Sequence, residues 1–168
     1  MNTSNHTGPH RFSMPAWISC APFEQMLGIE IVKAEAGESI LRMPFIQSLA
    51  QGAGLMHGGA MVSLADTAVV MAIKSVVLPG THFATLFMEN RFLHPVKQGI
   101  LEAQARIAER DGSVIKGSCD IFDEENRKIM IFKSVFKIAK DTEIKDIVFF
   151  VYITPFLYGL AKRVNGCV

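Results

Sequence analysis

The spacing of apolar and polar positions changes twice along this chain. In residues 29 to 36 and 38 to 45 the period is close to two. Ser39, Leu41 and Met43 fall on one side of the second run, Ile40, Arg42 and Pro44 on the other, and β-branched residues are scattered through both. The two runs meet at Gly37, which predicts a hairpin. Residues 58 to 78 are helix formers, apolar nearly all round, and Pro79 and Gly80 stop them. Period two then returns in residues 83 to 93, 100 to 110, 113 to 122 and 128 to 138. The breaks between these runs fall at 95 to 99, at Asp111-Gly112, a strong hairpin signal, and at 123 to 127. A helix apolar on every side has to be enveloped by other elements. The expected architecture is therefore α+β: two strands, a long central helix, then four strands in an antiparallel meander, with one curved antiparallel sheet wrapped round the helix.

The ends of the chain differ from this middle. Residues 1 to 20 are polar, with Gly8, Pro9 and Pro15, and read as a leader outside the core. A short helical turn is expected from Ala21, and a loop rich in Gly and Gln spans 47 to 56. The domain proper is placed at 21 to 140. Beyond it, residues 141 to 168 form an apolar C-terminal extension containing IVFFVYITPFLYGLA, closed by Lys162 and Arg163. That stretch is too short for an ordinary bilayer span and is broken by Pro155, so packing against protein or disorder is favoured over membrane contact.

At 168 residues with 49% hydrophobic content, the chain suits one domain with a sizeable core. Lys and Arg number 17 against 16 Asp and Glu, a net charge of +1, which provides no footprint for nucleic acid. Cys20, Cys119 and Cys167 are widely spaced and odd in number, which argues against a disulfide framework or a zinc site. The first twenty residues lack the apolar centre of a secretory signal. Together these features predict a cytoplasmic protein.

Two features of the helix carry candidate chemistry. His57-Gly58-Gly59 lies where the loop becomes the helix, so unpaired N–H groups face outward at the positive end of the helix dipole. Glycine there lets a carbonyl approach the backbone closely. Asp66 is the one carboxylate in a segment made almost wholly of apolar residues. Two readings stand for it. Ser63, Asp66, Thr67, Val70 and Lys74 share a face that is a hydrated stripe, or Asp66 borders an apolar cleft where desolvation raises its pKa and suits it to general-base work.

The order of these residues resembles that of a known family. Gln51, then His57-Gly58-Gly59, Ser63-Leu64-Ala65-Asp66-Thr67-Ala68, Ala84-Thr85 and Arg91-Phe92-Leu93-His94-Pro95 look like the hot-dog-fold acyl-CoA thioesterases of the PaaI (phenylacetic acid degradation) type. The resemblance covers roughly residues 23 to 138. It implies hydrolysis of an aryl- or medium-chain acyl-CoA to free acid and coenzyme A, without cofactor or metal, in a homodimer or homotetramer whose sites combine residues from two subunits. Asp66 takes the place of base or nucleophile, Gly58 polarises the thioester carbonyl through its N–H, Gln51 helps hold the thioester or water, and Thr85 orients the water. His57, Gly59 and Met61 are expected beside the substrate, His57 with a structural role first. His94 stands where relatives often carry Arg, which leaves the contact to the coenzyme A phosphates unassigned; Lys97, Arg110 and Lys116 are the available cations. The competing reading is a hot-dog module that binds acyl-CoA without cleaving it. A hydratase would need a histidine on the helix, and none lies between residues 58 and 78.

Overall fold

The computed structural model describes residues 13 to 139; the apolar extension at 141 to 168 and most of the polar leader lie outside the described residues. Helix α1 is the short turn expected after Ala21 (Pro22–Met26), and strands β1 (Glu30–Glu35) and β2 (Glu38–Pro44) follow. Ala36 and Gly37 both take positive φ, 51° and 81°, which closes β1 onto β2 in the tight turn that the right-handed strand twist favours. Helix α2 (Gly58–Lys74) comes next, then β3 (Phe83–Phe92), β4 (Ile100–Asp111), β5 (Val114–Phe122) and β6 (Lys128–Ile138). All six strands join one antiparallel sheet in the order β1-β2-β4-β5-β6-β3. The fold is α+β with a single long helix packed on that sheet, as expected.

Two expectations need correction. The four strands after the helix are not a simple meander. β4, β5 and β6 follow one another, but β3 pairs with β6 at the far edge, while β4 pairs with β2. The segment between β3 and β4 has to pass from one edge toward the middle of the sheet. It contains Pro95, which cannot extend a ladder, and it is tied to the loop before α2 by the Met56 N–H donating to the Val96 carbonyl at 3.0 Å. The helix, in turn, ends at Lys74 instead of residue 78. The indole Nε1 of Trp17 donates to the Lys74 carbonyl at 2.9 Å, occupying the acceptor that another helical turn would use. Ser75 also folds back, its hydroxyl donating to the Ala72 carbonyl at 2.7 Å and accepting from the Gly37 N–H at 2.9 Å.

α2 lies against β1, β2, β4, β5 and β6. From β2 the inward side chains are Ser39, Leu41 and Met43, the set singled out by the alternation, and each is almost wholly buried. The Ser39 hydroxyl donates to the Ala68 carbonyl at 2.6 Å, pinning the helix to the sheet. Closest approach occurs at Gly117 on β5, where an added methyl would overlap Val69 Cγ1. Helix and sheet meet here through the absence of a side chain. β3 is different: it is an edge strand, and Leu86 (61% exposed), Phe87 (57%), Met88 and Phe92 are all open to solvent.

Gly117→Ala therefore forces α2 off the sheet or Val69 out of its rotamer. A loss of about 1–3 kcal/mol is expected in urea unfolding.

Candidate functional site

The loop before α2 is held by its own backbone. Gln51 N–H donates to the Leu55 carbonyl at 2.8 Å and His57 N–H to the Leu49 carbonyl at 2.8 Å. His57 is the N-cap of α2: its Nδ1 accepts from the Gly59 N–H at 2.9 Å. That bond occupies the Gly59 amide and leaves the Gly58 N–H without a hydrogen bond among the described residues, at the positive end of the helix. A Cβ on Gly58 would come within 3.1 Å of the Phe92 ring. The missing side chain lets an aromatic ring from β3 lie close across the helix terminus.

An open groove of about 430 Å³ lies beside this terminus, lined by residues that include Gln51, Met56, Gly58, Met61, Phe92 and His94. The Gln51 side-chain oxygen accepts from the Ala53 N–H at 2.7 Å, so its amide nitrogen is the end left to donate outward. Met61 is buried and forms the apolar floor. The structure thus gathers Gln51, His57, Gly58, Gly59 and Met61 at one end of α2.

Asp66 meets Thr85 further along, at the midpoint of α2. Thr85, on β3, donates its hydroxyl to Asp66 Oδ1 at 3.4 Å, a long bond. Burial raises the Asp66 carboxyl from its ordinary value to about 6; the Thr85 hydroxyl opposes the shift, and the charge of Glu24 adds to it. Ser63, Asp66, Val70 and Lys74 are all half-buried, whereas Thr67 is buried with the core. The stripe is half-shielded from water along its length. Glu24, on α1, was not legible as a contributor, because only tertiary packing carries α1 to this side of α2. Phe92 belongs to the Arg91-Phe92-Leu93-His94-Pro95 stretch, but nothing in its spacing indicates its place over Gly58.

The two halves are well separated. Eight residues at a rise of about 1.5 Å put Gly58 and Asp66 some 12 Å apart along α2. No single thioester carbonyl can touch both within one chain.

Two of the cations available for a phosphate contact, Lys97 and Lys116, lie beside acidic residues. Lys116 is paired with Glu109 at 2.8 Å. His94 and Lys97 border a second cavity of about 400 Å³ that also contains Asp123, Glu124 and Glu125. Among the described residues no cluster of His, Cys, Asp or Glu is arranged to hold a metal ion, and no helix is long and apolar enough to cross a membrane.

Known proteins share this architecture. The model of the thioesterase superfamily matches residues 53 to 130. ComA2 of Bacillus subtilis (strain 168), which carries the name of an esterase, is 31% identical over 117 residues, covering 69% of this chain and 93% of its own. A 1,4-dihydroxy-2-naphthoyl-CoA hydrolase of Listeria monocytogenes (serotype 1/2a, strain 10403S) is 24% identical over 117 residues, 70% of this chain and 95% of its own. Among solved structures, the PaaI protein of the E. coli phenylacetic acid degradation operon superposes with a TM-score of 0.65 at 23% identity, over 70% of this chain and 84% of that one. At that identity the match establishes a shared hot-dog fold.

The burial of Asp66 has a measurable consequence for stability. Its folded pKa of about 6 lies above the ordinary 3.8, so the folded state holds the proton more tightly. Its contribution is most favourable below pH 4 and is lost as pH rises through 6. Asp66→Asn should match wild type in thermal unfolding near pH 4 and exceed it near pH 8, by about 1–3 kcal/mol.

Proposed function

The chain belongs to the thioesterase superfamily and is a thioester hydrolase, and from that premise we propose that it is a PaaI-type enzyme that hydrolyses aryl- or medium-chain acyl-CoA through Asp66, its catalytic unit spanning residues 21 to 140. The observation that carries this reading is the half-buried Asp66 carboxylate, held beside the Thr85 hydroxyl and shifted to about 6. A carboxylate with that pKa is mostly ionised at neutral pH and is a stronger base than an exposed one. In the proposed reaction Asp66 takes a proton from a water oriented by Thr85. The water oxygen bonds to the thioester carbon while negative charge gathers on the carbonyl oxygen. The C–S bond then breaks, and the coenzyme A sulfur leaves with the proton. Direct attack by Asp66 is the variant route, with water cleaving the resulting anhydride.

The developing oxyanion requires a donor, and the Gly58 N–H is available for that purpose. Removal of such donors from other enzymes costs roughly 3–4 kcal/mol. Because Gly58 and Asp66 of one chain stand some 12 Å apart along the helix, we assign them to two different sites, each completed by a second copy. β3 supports this arrangement. Among the described residues no strand pairs with its outer edge, and it carries the exposed Leu86 and Phe87. One end of the strand holds Thr85 against Asp66, and the other holds Phe92 against Gly58. Antiparallel pairing of β3 with its own copy brings the Thr85 end of one protomer to the Phe92 end of the other, so that Asp66 faces Gly58 of the partner subunit. Gln51 then donates to the thioester from the same side as Gly58. Met61 lines the groove, and His57 and Gly59 keep the turn in shape.

The test is release of free thiol from a panel of aryl and straight-chain acyl-CoAs. Asp66→Asn should lower kcat a hundredfold or more while the protein stays folded, and wild-type kcat/KM should fall off below about pH 6, where Asp66 takes up its proton. A protein that binds these compounds and liberates no thiol would be a binding module. The subunit assignment has its own test. Phe87→Asp should yield monomers in light scattering and abolish thiol release, and a fully active monomer would remove the shared-site arrangement.

A further inference from the structure

Two buried side-chain polar atoms have no hydrogen-bond partner among the described residues: Glu24 Oε2 and Ser134 Oγ. Ser134 is 2% exposed, on the inner side of β6 between Phe132 and Phe136, which are wholly buried. An orphaned hydroxyl in such a place costs free energy, so it calls for an explanation.

The register locates it. Ser134 is paired with Gly117 on one side and Met88 on the other, and directly opposed residues in an antiparallel ladder share a face. Gly117 is the point where Val69 of α2 rests on the sheet, so Ser134 points toward the helix one strand nearer to β3. Thr85 is opposite Phe136, two positions along β6 from Ser134. Diagonal neighbours of this kind stand about 7–8 Å apart, less between the side chains. Thr85 is the residue that touches Asp66, and Asp66 lies one helical turn before Val69. The register therefore puts the Ser134 hydroxyl beneath the helix, between the Val69 contact and the strand position of Thr85, closed in by Phe132 and Phe136.

A water held in a buried site needs two to four polar partners. Thr85 and Asp66 supply two: the Thr85 oxygen, whose proton goes to Asp66 Oδ1, keeps its lone pairs, and the second carboxylate oxygen of Asp66 is a further acceptor. We propose that Ser134 is a positioning residue of the thioesterase site: its hydroxyl anchors, from below, the water that Asp66 activates and Thr85 orients. The inference rests on the assignment of Asp66 as base. Without the floor contact the water keeps two of its three anchors and samples poses from which attack on the thioester carbon is misaligned.

The variants to compare are Ser134→Ala, Ser134→Thr and Asp66→Asn, with thiol release from phenylacetyl-CoA and octanoyl-CoA and thermal unfolding measured for each. Ser134→Ala should lower kcat about tenfold or more with KM within about twofold of wild type. Its unfolding midpoint should equal or exceed that of wild type, because it removes a hydroxyl that no protein group satisfies. Ser134→Thr, which restores a hydroxyl on a strand-compatible side chain, should recover most of the turnover. In a high-resolution crystal structure, one water should lie within hydrogen-bond reach of both Ser134 Oγ and the Asp66–Thr85 pair. Unchanged kcat in Ser134→Ala, a loss of kcat that tracks a lowered midpoint, or absence of that water from such a structure overturns the role of Ser134. Activity in Asp66→Asn instead overturns the assignment of the base, whatever the serine variants do.

Discussion

One demand organises this molecule: a seventeen-residue helix with scarcely any polar surface has to be kept from water. Five of the six strands lie against it, and the backbone approaches as closely as chemistry allows, at Gly117 under Val69 and through the Ser39 hydroxyl on the Ala68 carbonyl. Such packing fixes the helix in rotation as well as in position. A helix that cannot roll keeps Ser63, Asp66, Val70 and Lys74 on a half-buried face, with Asp66 beside Thr85 of β3.

The site's chemistry follows from that fixed rotation. On a freely solvated helix Asp66 would titrate as an ordinary acid. Held in the angle between α2 and β3 it loses water, and its affinity for a proton rises to match neutral conditions. The same rigidity aims the first amides of α2 into the groove under Phe92, while His57 takes up one of them and leaves the other open. The amide is thus set at one end of a stiff rod and the acid at its middle, and their cooperation is a matter of how two rods are placed.

How far the sequence could be read depended on the range of the interactions involved. Gly37 and Asp111-Gly112 mark their hairpins because a tight turn is decided by its own residues, and the alternation in β2 identifies its inward set for the same reason. Asp66 stood out because a charge inside an apolar helix is locally anomalous. The place of β3 was not legible, since its partners on β6 lie 38 to 55 residues further along and no local rule chooses between that strand and β4. The end of α2 was misplaced because Trp17, far away in sequence, takes the Lys74 carbonyl. Glu24 and Ser134 escaped notice for the same reason: each is an unremarkable residue type made unusual by what surrounds it.

β3 also bears on how the protein comes into being. Among the described residues nothing pairs with its outer edge, and until something covers it the strand presents unused backbone donors and acceptors beside bare leucine and phenylalanine, a border that recruits extended peptides. No proline or inward charge blunts it in residues 85 to 88. Newly made molecules are therefore in a race between orderly association and clumping, and the outcome is set by how soon each meets a correctly folded counterpart. Yield on expression is then governed by crowding and synthesis rate as much as by the depth of the core.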